Sequence, residues 1–121
     1  MTVRRIVANL AAADLGPTRS FYESLLDLEV VMDHGWLITL AADVLAAPQL
    51  SIASEGGSGT PVPELSIEVD DVDRVHARAT AAGYDIVYDL TDEPWGVRRF
   101  FVRDPRGTIV NILSHARQGS A

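Results

Sequence analysis

Residues 64–69 alternate strictly, with Leu65, Ile67 and Val69 set against Glu64, Ser66 and Glu68. A period of two predicts a strand with one face buried. Beyond it the period changes. Val72, Val75, Ala79 and Ala82 recur at helical spacing, Asp70-Asp71 supplies a cap and Gly83 a stop, which predicts a helix over 72–82. Strands are expected next at 85–90, 97–103 and 108–114. The last two flank Asp104-Pro105-Arg106-Gly107, which suits a type I turn: Asp first, Pro fixing φ at the second place, Gly at the fourth. Both arms are rich in Val, Ile, Phe and Thr, which fit a pleated, half-buried surface.

The first half of the chain repeats this order. A strand at 3–12 leads into Asp14-Leu15-Gly16-Pro17, a helix entry with a capping Asp and an early Pro. A helix is expected over about 18–26, with Phe21, Leu25 and Leu28 at i, i+4 and i+7 beside Tyr22 and Leu26, forming one apolar stripe. Strands follow at 29–33, 36–41 and 49–54. Asn9-Leu10 through Asp14-Leu15 matches Ser66-Ile67 through Asp71-Val72 at a constant offset, and 49–54 matches 109–114. A duplicated βαβββ module accounts for both halves. The expectation is a single domain, 1–121, built of modules at about 1–55 and 62–115. Glu55-Gly56-Gly57-Ser58-Gly59-Thr60-Pro61 is the linker-like segment between them.

Composition narrows the function classes. The chain has 121 residues, 17 acidic and 10 basic, for a net charge of −7. Such a surface argues against nucleic acid as a partner, and Arg4-Arg5 and Arg98-Arg99 with Arg103 and Arg106 are too few to reverse that. Apolar stretches are broken by Asp, Gly or Pro, so no membrane span is expected, and a cytoplasmic location follows. The absence of cysteine excludes disulfides and thiolate chemistry. Gly56-Gly57-Ser58-Gly59 lacks the Lys of a phosphate loop, and no G-x-S-x-G elbow occurs.

The pattern resembles the vicinal oxygen chelate superfamily of glyoxalases, bleomycin-resistance proteins and extradiol dioxygenases. The resemblance covers essentially the whole chain. It rests on Asn9-Leu10-Ala11-Ala12-Ala13-Asp14-Leu15 leading to Ser20-Phe21-Tyr22 and Leu25-Leu26, on Ile67-Glu68-Val69-Asp70-Asp71-Val72, and on Phe101-Val102-Arg103-Asp104-Pro105-Arg106-Gly107. It implies an α+β fold in which two βαβββ modules form a cupped mixed sheet with helices on its outer face. Metal-dependent relatives place ligands at positions that here are Val7, Ser51, Glu64 and Asn111. Valine cannot ligate, Asn and Ser are poor substitutes, and one carboxylate is not a divalent site. No metal and no cofactor are expected. Of the histidines, His34 reads as a turn residue, His76 as the exposed side of a helix, and His115 as lying past the last strand.

Strand parity places Val7, Asn9 and Ala11, then Glu64, Ser66 and Glu68, then Arg99, Phe101 and Arg103, then Ile109, Asn111 and Leu113 on the cup side. Leu65, Ile67, Val69, Val110 and Ile112 would pack under the helices. Candidate ligand-binding residues are Trp95 on its Pro-Gly loop, Phe101 and Trp36 as aromatic anchors, and Asn9, Glu64, Glu68, Arg99 and Asn111 as polar contacts. Each has a plainer reading: Glu64 and Glu68 as a solvated strand face, Arg99 as a salt bridge to one of them, the tryptophans as core or dimer contacts. Nearest to the metal-free bleomycin-resistance type, the resemblance implies a homodimer that sequesters a small organic molecule, an antibiotic or aromatic metabolite, in a cleft, with no catalytic residue. The alternative is a glyoxalase-type lyase, isomerase or dioxygenase using an atypical metal site or Glu64 as general base. A protein-interaction module with a closed cup is the third class.

Overall fold

The computed structural model describes residues 1–45 and 48–115; positions 46–47 and 116–121 of the expected domain lie outside the described residues. Among the described residues, eight strands and two helices occur in the order β1 (Val3–Ala11), α1 (Leu15–Leu26), β2 (Glu29–Asp33), β3 (Leu37–Ala41), β4 (Gln49–Ala53), β5 (Leu65–Val69), α2 (Val72–Ala82), β6 (Asp85–Asp92), β7 (Val97–Arg103) and β8 (Ile109–His115). The fold is α+β with mixed sheet pairing. Two compact units are formed, one of Val7–Val62 and one of Met1–Ile6 with the chain from Pro63 onward.

In the first unit β2 and β3 pair antiparallel, β3 and β4 pair antiparallel, and β1 runs parallel to β4. Ile38, Leu40 and Ile52 are buried, and Leu15, Tyr22, Leu28 and Val30 pack against them. The single apolar stripe expected for α1 is corrected here. Phe21, Leu25 and Leu26 are exposed, at 57%, 63% and 56%. The helix begins at Leu15, so its packed face is set by Leu15 and Tyr22, one heptad apart. Asp27 then takes the left-handed conformation (φ 54°) as C-cap and turns the chain, so Leu28 reaches the core from outside the helical phase.

The second unit orders its strands β5-β8-β7-β6, with β5 and β8 parallel and the remainder antiparallel. Phe100, fully buried, centres a core with Val69, Val72, Ala79 and Ile112, against which Ile67, Val75, Val102 and Val110 pack. Burying Phe100 contributes on the order of 2–3 kcal/mol. Asp71 caps α2, its side chain accepting from Arg74 N, and Gly83 ends the helix at φ 74°. Thr2 is tied to this unit: its N–H donates to Asp70 Oδ1 and its carbonyl accepts from Asp70 N.

The Asp104 turn forms as expected. Gly107 N donates to Asp104 O at 2.9 Å, and Asp104 Oδ1 accepts from the N–H groups of Arg106 and Thr108. The glycine-rich segment is more ordered than a loose tether. Gly56 N donates to Thr60 O, Thr60 N and Oγ1 both donate to Gly57 O, and Gly56, Gly57 and Thr60 are buried. A Cβ on Gly56 would stand 2.1 Å from Pro61 O, so that position demands glycine.

Candidate ligand-binding site

Alternation along β7 and β8 separates two faces. Phe100 and Ile112 face α2, so Phe101 and Asn111 point the other way. Register pairing builds two rows across this second face of the second unit. One row is Ser66, Asn111, Phe101 and Tyr88; the next is Glu68, Leu113, Arg99 and Thr91. Irregular register in β6, between Ile86 and Tyr88 and again between Tyr88 and Thr91, brings Tyr88 opposite Phe101. Their ring centroids lie 5.2 Å apart.

Arg99 occupies the centre of this face and is 3% exposed. Its guanidinium carbon lies 4.7 Å from the Phe101 centroid, 4.9 Å from Trp95 and 5.3 Å from Tyr88. Its Nε donates to Glu93 Oε2 at 2.6 Å, and Tyr88 Oη donates to the same oxygen at 3.1 Å. Burial of a charge is tolerable only with such a partner and hydrogen bonds around it. The cation faces three rings while its charge is balanced by one buried carboxylate.

Glu93 and Tyr88 were not among the residues singled out from sequence. Glu93 sits beside Pro94-Trp95-Gly96, where no periodic pattern sets its orientation. The tight hairpin sets it: Glu93 N donates to Val97 O, Gly96 N donates to Glu93 O, and the side chain turns inward. An inward-facing Arg99 on β7 does signal the need for a nearby acid, and Glu93 lies on the adjoining turn. The plainer reading of Arg99 paired it with Glu64 or Glu68; an ion pair does form, but with Glu93. Glu68 is instead held by Arg5 at 3.2 Å and by His115 at 3.0 Å.

Of the expected site residues, Trp95, Arg99 and Phe101 are brought together, with Asn111 in register with Phe101. Glu64 is exposed and precedes β5, its N–H donating to Ile109 O. Asn9 and Trp36 belong to the first unit. Asn9 pairs in register with Ser51, whose Oγ lies 2.8 Å from Thr39 Oγ1. Trp36 stacks on His34 with centroids 5.9 Å apart. The other histidines also depart from expectation. His76 packs edge-on against Phe100 and meets Asp89 at 2.8 Å, and His115 lies within β8.

Asn111 is 7% exposed. Its Nδ2 donates to Ser66 Oγ at 3.1 Å, while its Oδ1, buried from solvent, accepts no hydrogen bond. Val7 is buried and carries no donor atom for a metal. Among the described residues no cluster of three or more His, Asp or Glu side chains is placed to hold a metal ion.

A cleft of about 630 Å³ opens at the N-terminal end of α2, walled by Asp70, Asp71, Asp73, Arg98, Ser114 and His115. Its carboxylates have internal work. The Thr2 N–H holds Asp70 below the usual carboxylate range, and Arg98 does so for Asp73. Arg98 also meets Asp92, and its own pKa is raised chiefly by Asp73.

The family model described as Glyoxalase/Bleomycin resistance protein/Dioxygenase superfamily matches residues 4–112. A search of curated proteins gives no match. Among solved structures, a superfamily member from Vibrio splendidus 12B01 is 23% identical, with a TM-score of 0.66 over 93% of this chain and 99% of the other. A Streptomyces coelicolor methylmalonyl-CoA epimerase variant in complex with 2-nitronate-propionyl-CoA is 21% identical, with a TM-score of 0.71 over 96% and 100%. A Legionella pneumophila chain described as an NAD-dependent benzaldehyde dehydrogenase is 17% identical, with a TM-score of 0.74 over 92% and 99%. Names this varied at such identities mark a common fold.

Proposed function

We propose that this chain, which belongs to the Glyoxalase/Bleomycin resistance protein/Dioxygenase superfamily, binds and sequesters a small organic molecule without a metal ion. The observation that carries the reading is the state of the donor positions. Of the four, Val7 offers nothing, Ser51 shares its hydroxyl with Thr39, Asn111 gives its amide N–H to Ser66, and Glu64 stands exposed. One carboxylate with neutral oxygens does not fit a catalytic divalent ion. Trp95 and Tyr88, both half-buried, and Asn111 lie around the fully buried Phe101, a mixture of apolar area and few polar groups that suits an aromatic antibiotic or metabolite.

Trp95 supplies aromatic surface in this reading, Phe101 a buried ring that becomes a contact only when its neighbours give way, and Asn111 a polar contact. Arg99 and Glu93 brace the rings from within. Trp36, Asn9, Glu64 and Glu68 are proposed contacts of lesser weight, and a homodimer is the proposed assembly. Nothing specific favours general-base chemistry at Glu64.

Thermal-shift screening against planar antibiotics and aromatic metabolites, followed by calorimetry, tests binding. A ligand should stabilise the fold by mass action, about 2.7 kcal/mol at a hundredfold excess over Kd, and so raise the unfolding midpoint. Trp95→Ala should weaken that ligand at least about tenfold. Absence of any stabilising compound, or stoichiometric zinc, nickel, manganese or iron in protein purified without chelator, would overturn the reading. Sedimentation at micromolar concentration reads the assembly.

A further inference from the structure

We propose that Asn111 is the ligand's polar anchor: its buried Oδ1 accepts a hydrogen bond from an N–H or O–H on a flat, uncharged ligand. The inference rests on the binding reading above and adds the ligand's chemistry to it. A buried acceptor without a donor is costly, and native folds seldom keep one without cause. Asn111 is nine-tenths buried, yet Oδ1 exposes less than 1 Å² and accepts nothing, while Nδ2 is used by Ser66. That second bond pins the amide and turns the carbonyl oxygen away from Ser66. Fixed in this way, Oδ1 discriminates by requiring a donor.

The surroundings narrow the ligand further. Phe101 is the direct cross-strand neighbour of Asn111, and Tyr88 lies beyond it in the same row. Flat rings suit these neighbours. Arg99, the buried cation of this face, already has Glu93 as counter-ion, so an anion finds no charge there to offset its desolvation. Because Oδ1 is closed to solvent, a donor reaches it only when neighbouring side chains give way, and association should be slower than for an open cleft.

Indole and benzofuran have nearly the same shape, and only indole carries an N–H. Calorimetry on the full chain should show indole binding at least about tenfold tighter. In Asn111→Leu the difference should vanish while the thermal midpoint rises, since an unsatisfied buried group has been removed. In the unaltered protein, the Asn111 side-chain amide resonance should move on titration with indole far more than with benzofuran, a readout that needs no variant. Equal binding of the two probes, or discrimination that survives in Asn111→Leu, would overturn the role of Asn111 and leave sequestration standing. If neither probe binds, nor any compound of the wider screen, the binding reading falls and this inference with it.

Discussion

The two units share the order strand, helix, three strands, yet they fill corresponding sheet positions differently. In the first unit Asn9, Ser51 and Thr39 lie in register, and the hydroxyls of Ser51 and Thr39 meet at 2.8 Å. In the second unit the row is Ser66, Asn111, Phe101 and Tyr88, beside a buried Arg99–Glu93 pair. One face carries small neutral groups, of which the Ser51 and Thr39 hydroxyls satisfy each other. The other carries aromatic area, a buried ion pair and an unmet acceptor. Duplication conserves what backbone pairing and helix packing need, and leaves the opposite face free to diverge. Ligand chemistry is therefore expected in the second unit.

Breaking the ion pair should give the largest effect. Glu93→Ala removes the carboxylate that balances the buried, permanently charged Arg99 and should cost about 3–5 kcal/mol in denaturant unfolding. Replacing both residues, Glu93→Leu with Arg99→Met, should cost much less than either single change, because no orphan charge remains. A double variant as damaging as Glu93→Ala would mean that the rings, and not the charge, dominate this face.

The corresponding change in the first unit should be far milder. Thr39→Val with Ser51→Ala removes both partners of a neutral hydrogen bond and should change stability by less than about 1 kcal/mol. A loss matching that of Glu93→Ala would abolish the contrast drawn between the units.

Helix entry should behave alike in both. Asp14 accepts from Gly16 N and Asp71 from Arg74 N, so Asp14→Ala and Asp71→Ala should each cost about 1 kcal/mol. Unequal losses measured by thermal unfolding would show that one helix is held chiefly by packing.

The smallest effect is electrostatic. Asp73 titrates below its ordinary 3.8, chiefly through its hydrogen bonds with Arg98. A carboxylate with a depressed folded-state pKa contributes stability that is present above the unfolded value and lost as pH falls through the folded one. Stability should therefore decline below about pH 4, and Asp73→Asn should flatten that slope slightly. Because this pair is largely exposed, added salt should weaken the effect. A slope unchanged in Asp73→Asn would assign the acid sensitivity to other carboxylates.

Much of the fold was legible in the chain. The alternation at 64–69, the stripe Val72, Val75 and Ala79, the stop at Gly83 and the Asp104 turn are local signals, each set by the residues that carry it. The stripe on α1 misled because apolar residues cover more of that helix than its core contact uses. The candidate site was legible only in outline. Parity along β7 and β8 places Phe101, Arg99 and Asn111 on one face. Glu93 and Tyr88 escaped notice because a tight turn and irregular register, neither with a period of its own, aim them inward.

Sequence alone determined the duplicated βαβββ order, the family resemblance and the poverty of metal donors, because periodicity, capping and residue identity are local and survive without coordinates. Tertiary structure decided the rest. It chose Glu93 over Glu64 and Glu68 as the partner of Arg99, enclosed the guanidinium among three rings, and left Asn111 Oδ1 buried without a donor. These are contacts between side chains from different strands, and their energies depend on distance and desolvation, which no linear pattern encodes.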